Sequence, residues 1–182
     1  NPRRAHLLVS TVLGKHIPQD PAEVIRAGEL LGSLCADALA GHDDGVVVLG
    51  FAETAPGLGP CVATRLGARS YIHSTRRPVE GFAVHGEFEE GHSHATDHRL
   101  LPTDPERDLP PYLPMVLVDD EISTGTTALG AIRAVHALAP RARYVIASLV
   151  DMRSVDQRRE TDRAAAELGV VIDSVSLATG TV

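Results

Sequence analysis

The stretch MVLVDDEISTGTT, residues 115 to 127, decides how the rest of the chain is read. Its first four residues form a continuous apolar run, which is how a strand buried on both faces of a parallel sheet reads. Asp119 and Asp120 close that run, a turn of small hydroxyl residues around Gly125 follows, and a helical pattern begins at about residue 127. In open α/β sheets, ligands bind outside the carboxyl ends of the strands. Backbone N–H groups converge at a helix start, so Ser123, Thr124, Gly125, Thr126 and Thr127 would form an anion nest to which the hydroxyls add donors. The carboxylates of Asp119 and Asp120 would accept hydrogen bonds from a vicinal diol. A monophosphate at one end and neighbouring hydroxyls at the other outline a ribose 5-phosphate. With no Gly-Lys-Ser/Thr in the turn, a nucleoside triphosphate loop is excluded. Taken alone, the same residues also fit an ordinary strand, turn and helix start with two solvated acids, so the surroundings must decide.

Outward from this segment the chain alternates. Gly45 to Gly50 and Tyr144 to Val150 are further buried-strand runs, Ser70 to His73 is a shorter strand, and Val170 to Ile172 is another. Asp20, Pro21 and Glu23 supply an N-cap, a first-turn proline and the acidic position of a capping box, which predicts a helix over 21–40 ended by Gly41. Helical segments are expected at about 57–67, 127–138 and 155–168. Strands alternating with helices of this length predict an α/β fold, a parallel sheet flanked by helices. The stretch from Thr75 to about Leu113 breaks the rhythm. It is far longer than an ordinary connection and rich in His, Glu, Gly and Pro, as functional loops are.

The chain's 182 residues are expected to form a single domain, 1–182, on a prior of roughly 100 to 200 residues per domain. Its 43% hydrophobic and 23% charged residues are those of a globular protein. A formal net charge of −7 argues against sequence-independent nucleic-acid binding, which needs a basic face. No apolar run approaches the roughly 20 residues that span a bilayer, and Arg3 to Gly14, interrupted by His6, Ser10 and Thr11, does not read as a signal peptide. Cys35 and Cys61 read as two small buried hydrophobes, and so few cysteines fit a reducing cytoplasm. An opening at Asn1 and a stop at Val182, just after a strand-like run, read as a piece of a longer protein.

The segment 115–127 resembles the signature of type I phosphoribosyltransferases, which bind 5-phosphoribosyl 1-pyrophosphate (PRPP). GFAETA at 50–55, YIHSTRR at 71–77, FEEGHSHATDH at 88–98 and VLVDDEISTGTT at 116–127 together resemble the orotate phosphoribosyltransferase-like family of bacterial tellurite-resistance and stress-response gene clusters. STVLGKHIP at 10–18 is similar to that family's N-terminal segment. The resemblance implies the type I phosphoribosyltransferase fold, with a long flexible loop and a small N-terminal hood element. It places a pyrophosphate loop at 51–59, with Glu53 and Thr54 binding PRPP, and it assigns Arg76 and Arg77 to the pyrophosphate. Each of these also has a plainer reading, Thr54 as an N-cap and the arginines as a solvated pair. The resemblance further implies a mobile lid over 78–98, His94 as a catalytic contact of the leaving group, and base contacts from Asp151 and Arg153. Mg²⁺ arrives on the substrate, with no fixed protein metal site. The partners implied are PRPP and a nitrogenous base, orotate-like pyrimidines leading, in a homodimeric cytoplasmic enzyme. Members often continue into a further C-terminal domain.

Two rivals remain. His92, His94, Asp97 and His98 approach the His-x-His-x-Asp-His pattern of dizinc hydrolases, but one residue too many separates His94 from Asp97, and downstream only His136 follows. The other is a PRPP-sensing regulator without turnover, which would pair the fold with a DNA-binding element. Nothing in the sequence is basic or helix-turn-helix-like.

Overall fold

The computed structural model describes residues 10–15, 17–42, 44–52, 57–89 and 98–180. Helix α1 (Pro21–Ala38) starts where the capping signals place it, with the Asp20 carboxylate accepting the Ala22 N–H at 2.9 Å. Strand β1 (Val47–Gly50) follows, then α2 (Leu58–Leu66), closed by Gly67 at φ +58°. Strand β2 (Ser70–His73) leads into the long connection. That connection contains a two-stranded antiparallel pair, β3 (Gly86–Phe88) with β4 (His98–Leu100), and the short helix α3 (Pro105–Asp108). Then come β5 (Met115–Ile122), α4 (Thr126–Leu138), β6 (Arg143–Asp151), α5 (Val155–Leu168) and β7 (Val171–Thr179). Of the residues before α1, the described ones, 10–15 and 17–20, contain no helix or strand.

The main sheet is parallel, in the order β2-β1-β5-β6-β7. Its apolar runs alternate between two cores because successive side chains of a strand point to opposite faces. Val47, Leu49, Met115, Leu117, Tyr144 and Ile146 face Leu129, Ile132 and Val135 of α4. Val46, Val48, Val116, Val118, Val145 and Ala147 face Leu31 and Cys35 of α1 and Val62 of α2. Each fully buried aliphatic side chain of these layers contributes roughly 1.5–3 kcal/mol. A buried arginine ties off the lower edge: Arg141 donates to the carbonyls of Ala139, Leu113 and Leu109, joining the β6 entry to the segment before β5. Cys35 and Cys61 are both free thiols, the first fully buried and pushed up to about 12 by desolvation. No helix among the described residues is long and apolar enough to cross a membrane.

Candidate active site

Strand β1 leaves its ladder with β5 at Gly50↔Val118, the last bond running from the Phe51 N–H to the Val118 carbonyl at 3.1 Å. Beyond that point β5 continues four residues, still paired to β6 as far as Ile122↔Asp151. Helix α2 carries the chain from β1 outward to β2, while α4 carries it from β5 the other way to β6. The two adjacent strands thus diverge at a topological switch point, the place where an open α/β sheet has its ligand crevice. Asp119, Asp120, Glu121 and Ile122 are the residues that project past the end of β1.

Asp119 and Asp120 are half-buried rather than core residues. One oxygen of each accepts the next backbone N–H, Asp120 to Asp119 at 2.9 Å and Glu121 to Asp120 at 3.0 Å, which restrains both carboxylates. The turn then reaches Gly125, whose φ of +86° is a left-handed conformation that favours glycine. The N-cap residue of α4, a 13-residue helix, is Gly125 itself, which has no side chain to cap it. Thr124 Oγ1 accepts the Thr126 N–H at 3.3 Å and lies 3.1 Å from Thr126 Oγ1. Ser123, Thr124, Gly125, Thr126 and Thr127 thus lie together at the N-terminal end of α4, directly after the acid-bearing end of β5.

The side chains of Asp151 and Arg153, predicted to contact a base, are instead committed to each other. Both are buried, and the Arg153 guanidinium meets the two carboxylate oxygens at 3.0 and 2.9 Å while donating to Thr161 Oγ1 at 2.9 Å. Burial works to raise the Asp151 carboxyl, but the hydrogen bonds and charge of Arg153, with Arg158 behind it, outweigh that and hold it below the usual range. A Cβ on Gly125 would lie 3.0 Å from Arg153 Cδ, so this pair forms the floor under the Gly125 turn. The Met152 N–H, bonded to the Ile122 carbonyl at 2.8 Å, fixes the same junction.

On the other side of the crevice, a cavity of about 520 Å³ opens at the carboxyl ends of β1 and β2. Arg76 and Arg77 line it together with Ala52, His73 and Phe82. Arg76 is half-buried and donates to the Ala52 carbonyl at 3.5 Å, while Arg77 is exposed. Ser74, fully buried, accepts the Ala52 N–H at 2.9 Å and lies 3.0 Å from His98 Nδ1. The His98 ring stacks on Phe88 with centroids 4.7 Å apart and meets Phe51 edge-on at 6.1 Å, which clasps β3 and β4 to the end of β1. Glu53, Thr54 and His94 lie outside the described residues, as do His92 and Asp97. Of the predicted histidine run only His98 is described, and its Nδ1 is taken up by Ser74. A second cavity, about 540 Å³, lies between α1, α5 and β7 and contains none of Arg76, Arg77 or residues 119–127. Sequence reading gave Tyr71, His73 and Ser74 no role; the available signal was three polar side chains crowded around Ile72 at the end of β2.

Sheet order and switch point define an open parallel α/β sheet with a crevice at the carboxyl ends of β1 and β5. The chain matches the phosphoribosyl transferase family over residues 1–181 and belongs to it. No curated protein is detectably similar in sequence. Among solved structures, the chain is similar to APRTase from Giardia lamblia complexed with 9-deazaadenine, at TM-score 0.63 and 15% identity, covering 95% of this chain and 94% of that one. It is also similar to adenine phosphoribosyltransferase from Trypanosoma brucei in complex with AMP, pyrophosphate and ribose-5-phosphate, at TM-score 0.60 and 16% identity over 93% and 74% of the two chains. The adenine phosphoribosyltransferase of Rhodothermus marinus gives TM-score 0.60 at 20% identity over 93% and 83%. These likenesses confirm the type I phosphoribosyltransferase fold expected from the sequence.

Proposed function

We propose that this phosphoribosyltransferase transfers the 5-phosphoribosyl group of PRPP to a ring nitrogen of a nitrogenous base and releases pyrophosphate. The observation that carries the reading is the extension of β5 beyond β1, which sets two restrained carboxylates beside the glycine-capped start of α4 at the switch point. Asp119 and Asp120 accept hydrogen bonds from the ribose hydroxyls, and residues 123–127 anchor the 5-phosphate. Arg76 and Arg77, whose forks suit pyrophosphate oxygens, take the leaving group. Positive charge develops on the sugar ring as the C1–oxygen bond stretches, much as in glycoside cleavage, and the base attacks from the opposite face. Mg²⁺ would arrive with the substrate and neutralise its phosphate charge, as its preference for oxygen ligands allows.

The quoted motif likeness favours an orotate-like pyrimidine as acceptor, within a stress-associated or tellurite-resistance pathway. Adenine, named in the structures of similar fold, is the competing acceptor; at such low identity those structures speak to fold alone. A panel of pyrimidine and purine bases assayed for PRPP-dependent pyrophosphate release tests the reading and ranks the acceptors. Release with one base and Mg²⁺ supports it. PRPP binding without release for any base would favour a sensor, and stoichiometric zinc in the purified chain, lost in His94→Ala, would favour a metallohydrolase.

A further inference from the structure

His73 lines the same cavity as Arg76 and Arg77 and has no role in the reaction so far described. It is the last residue of β2 and is half-buried. Its Nδ1 lies 3.0 Å from the Tyr71 hydroxyl, and its Nε2 makes no hydrogen bond with a described residue. The Tyr71 hydroxyl is wedged between β1 and α2. A Cβ on Gly50 would come within 2.5 Å of it and one on Gly59 within 2.7 Å, and the Gly50 Cβ would also meet His73 Nδ1 at 3.0 Å. Two glycines therefore clear the space that the Tyr71–His73 pair occupies, so the pair's placement is built into three separate elements.

His73 Nδ1 is the one hydrogen-bond partner of the Tyr71 hydroxyl among the described residues. Donation from the hydroxyl to Nδ1 satisfies its O–H, and a neutral imidazole that accepts at Nδ1 carries its proton on Nε2. Burial acts in the same direction. Desolvation pushes the tyrosine up to about 12, so it remains a donor at neutral pH, and holds the imidazole below its ordinary value. Beside two guanidinium groups, a neutral donor also avoids the repulsion a third cation would meet.

We propose that His73 is a further catalytic residue, donating a hydrogen bond from Nε2–H to a phosphoryl oxygen of the departing pyrophosphate, with Tyr71 as the positioning residue that fixes the tautomer. The proposal rests on the phosphoribosyltransferase reading above. As the bond between ribose C1 and pyrophosphate oxygen breaks, its electron pair stays with pyrophosphate. The lone pair of the acceptor nitrogen forms the new bond to C1, and any proton on that nitrogen passes to water. The imidazole keeps its proton throughout. Its hydrogen bond strengthens as charge collects on the leaving group, which is the condition for accelerating the step rather than tightening ground-state binding.

Nitrogen NMR of the wild-type imidazole, followed during titration with pyrophosphate and Mg²⁺, tests the geometry without reference to turnover. The expected result is a neutral Nε2–H ring in the free protein whose Nε2 resonance moves as pyrophosphate binds. Three variants test the chemistry. In His73→Asn the amide takes the place of Nδ1 and the donor is lost. In His73→Gln the amide takes the place of Nε2. Tyr71→Phe frees the tautomer. We expect kcat to fall roughly 10²-fold in His73→Asn, with KM for PRPP little changed, and to stay within about tenfold in His73→Gln, with Tyr71→Phe between them. A merely structural histidine would reverse the order, because Asn keeps the Tyr71 partner. An Nδ1–H ring, or an Nε2 signal unmoved by pyrophosphate that demonstrably binds, would overturn this proposal alone. A wild-type chain that binds neither pyrophosphate nor PRPP would remove the phosphoribosyltransferase reading and this proposal with it.

Discussion

Arg153 is 3% exposed and spends its guanidinium on Asp151 and Thr161, yet its Cδ occupies the space beside Gly125 where a larger residue's Cβ would have to go. Breaking a buried pair leaves an uncompensated charge, so Asp151→Asn is expected to lower stability by on the order of 3–5 kcal/mol in urea unfolding at neutral pH. The carboxyl is held below its unfolded value, so the stabilisation is present above an unfolded pKa of about 4 and is lost as the pH falls through the lower folded value. The gap between wild type and Asp151→Asn should therefore shrink in acid. A gap that persists unchanged to low pH would mean the pair is not the source. Gly125→Ala meets a different obstacle: a left-handed φ costs a residue with a Cβ roughly 1–2 kcal/mol, and Arg153 Cδ blocks the way. It should weaken PRPP binding, measured calorimetrically, by more than a substitution on the exposed face of α4 such as Arg133→Ala.

At the scale of elements, the glycines of α1 set how closely it approaches α2. A Cβ on Gly28 would fall 2.2 Å from the Cβ of Cys61, a clash between two atoms that no rotamer change can relieve. Gly28→Ala gains up to about 1 kcal/mol of helix propensity, but forcing two packed helices apart costs roughly 1–3 kcal/mol. Thermal unfolding should show net destabilisation, and adding Cys61→Gly should cost less than the sum of the single changes. An additive result would place the two helices farther apart than described. What the sequence disclosed at this scale was local. The cap at Asp20 and the apolar spacing placed α1 correctly, and Gly67 and Gly169 end their helices in the left-handed conformation glycine favours. Strand β5 was expected to stop at Val118 because its apolar run stops there. The ladder continues to Ile122 because β6 still supplies partners, a fact of pairing invisible in the strand's own residues. Strand β7 was read over 170–172 and runs from Val171 to Thr179; as the sheet's edge strand it is half-solvated, so Asp173, Ser174 and Ser176 disguise it. Strands β3 and β4, three residues each, are too short for any period to show.

For the molecule as a whole, a net charge of −7 would face a multiply anionic substrate in the proposed reaction, so affinity would have to come from local placement of positive charge. In that proposal the start of α4 and the arginines that follow β2 would supply it from opposite sides of the switch point. The strand, turn and helix start that carry Asp119 and Asp120 were legible in residues 115–127 because apolar run, acids and hydroxyl-rich turn follow one another there. The Asp151–Arg153 floor and the Tyr71–His73 pair were not, because each depends on contacts between segments far apart in the chain, with Gly125 in one case and with Gly50 and Gly59 in the other. The central claim is that Asp119 and Asp120 hold the ribose of PRPP whose phosphate sits on residues 123–127. Calorimetric titration of PRPP with Mg²⁺ into the wild-type chain and into Asp119→Asn with Asp120→Asn tests it most directly. The account predicts Mg²⁺-dependent binding by the wild type and a loss on the order of 3–6 kcal/mol in a variant that remains folded by circular dichroism. Equal affinity for PRPP in the folded variant would contradict it.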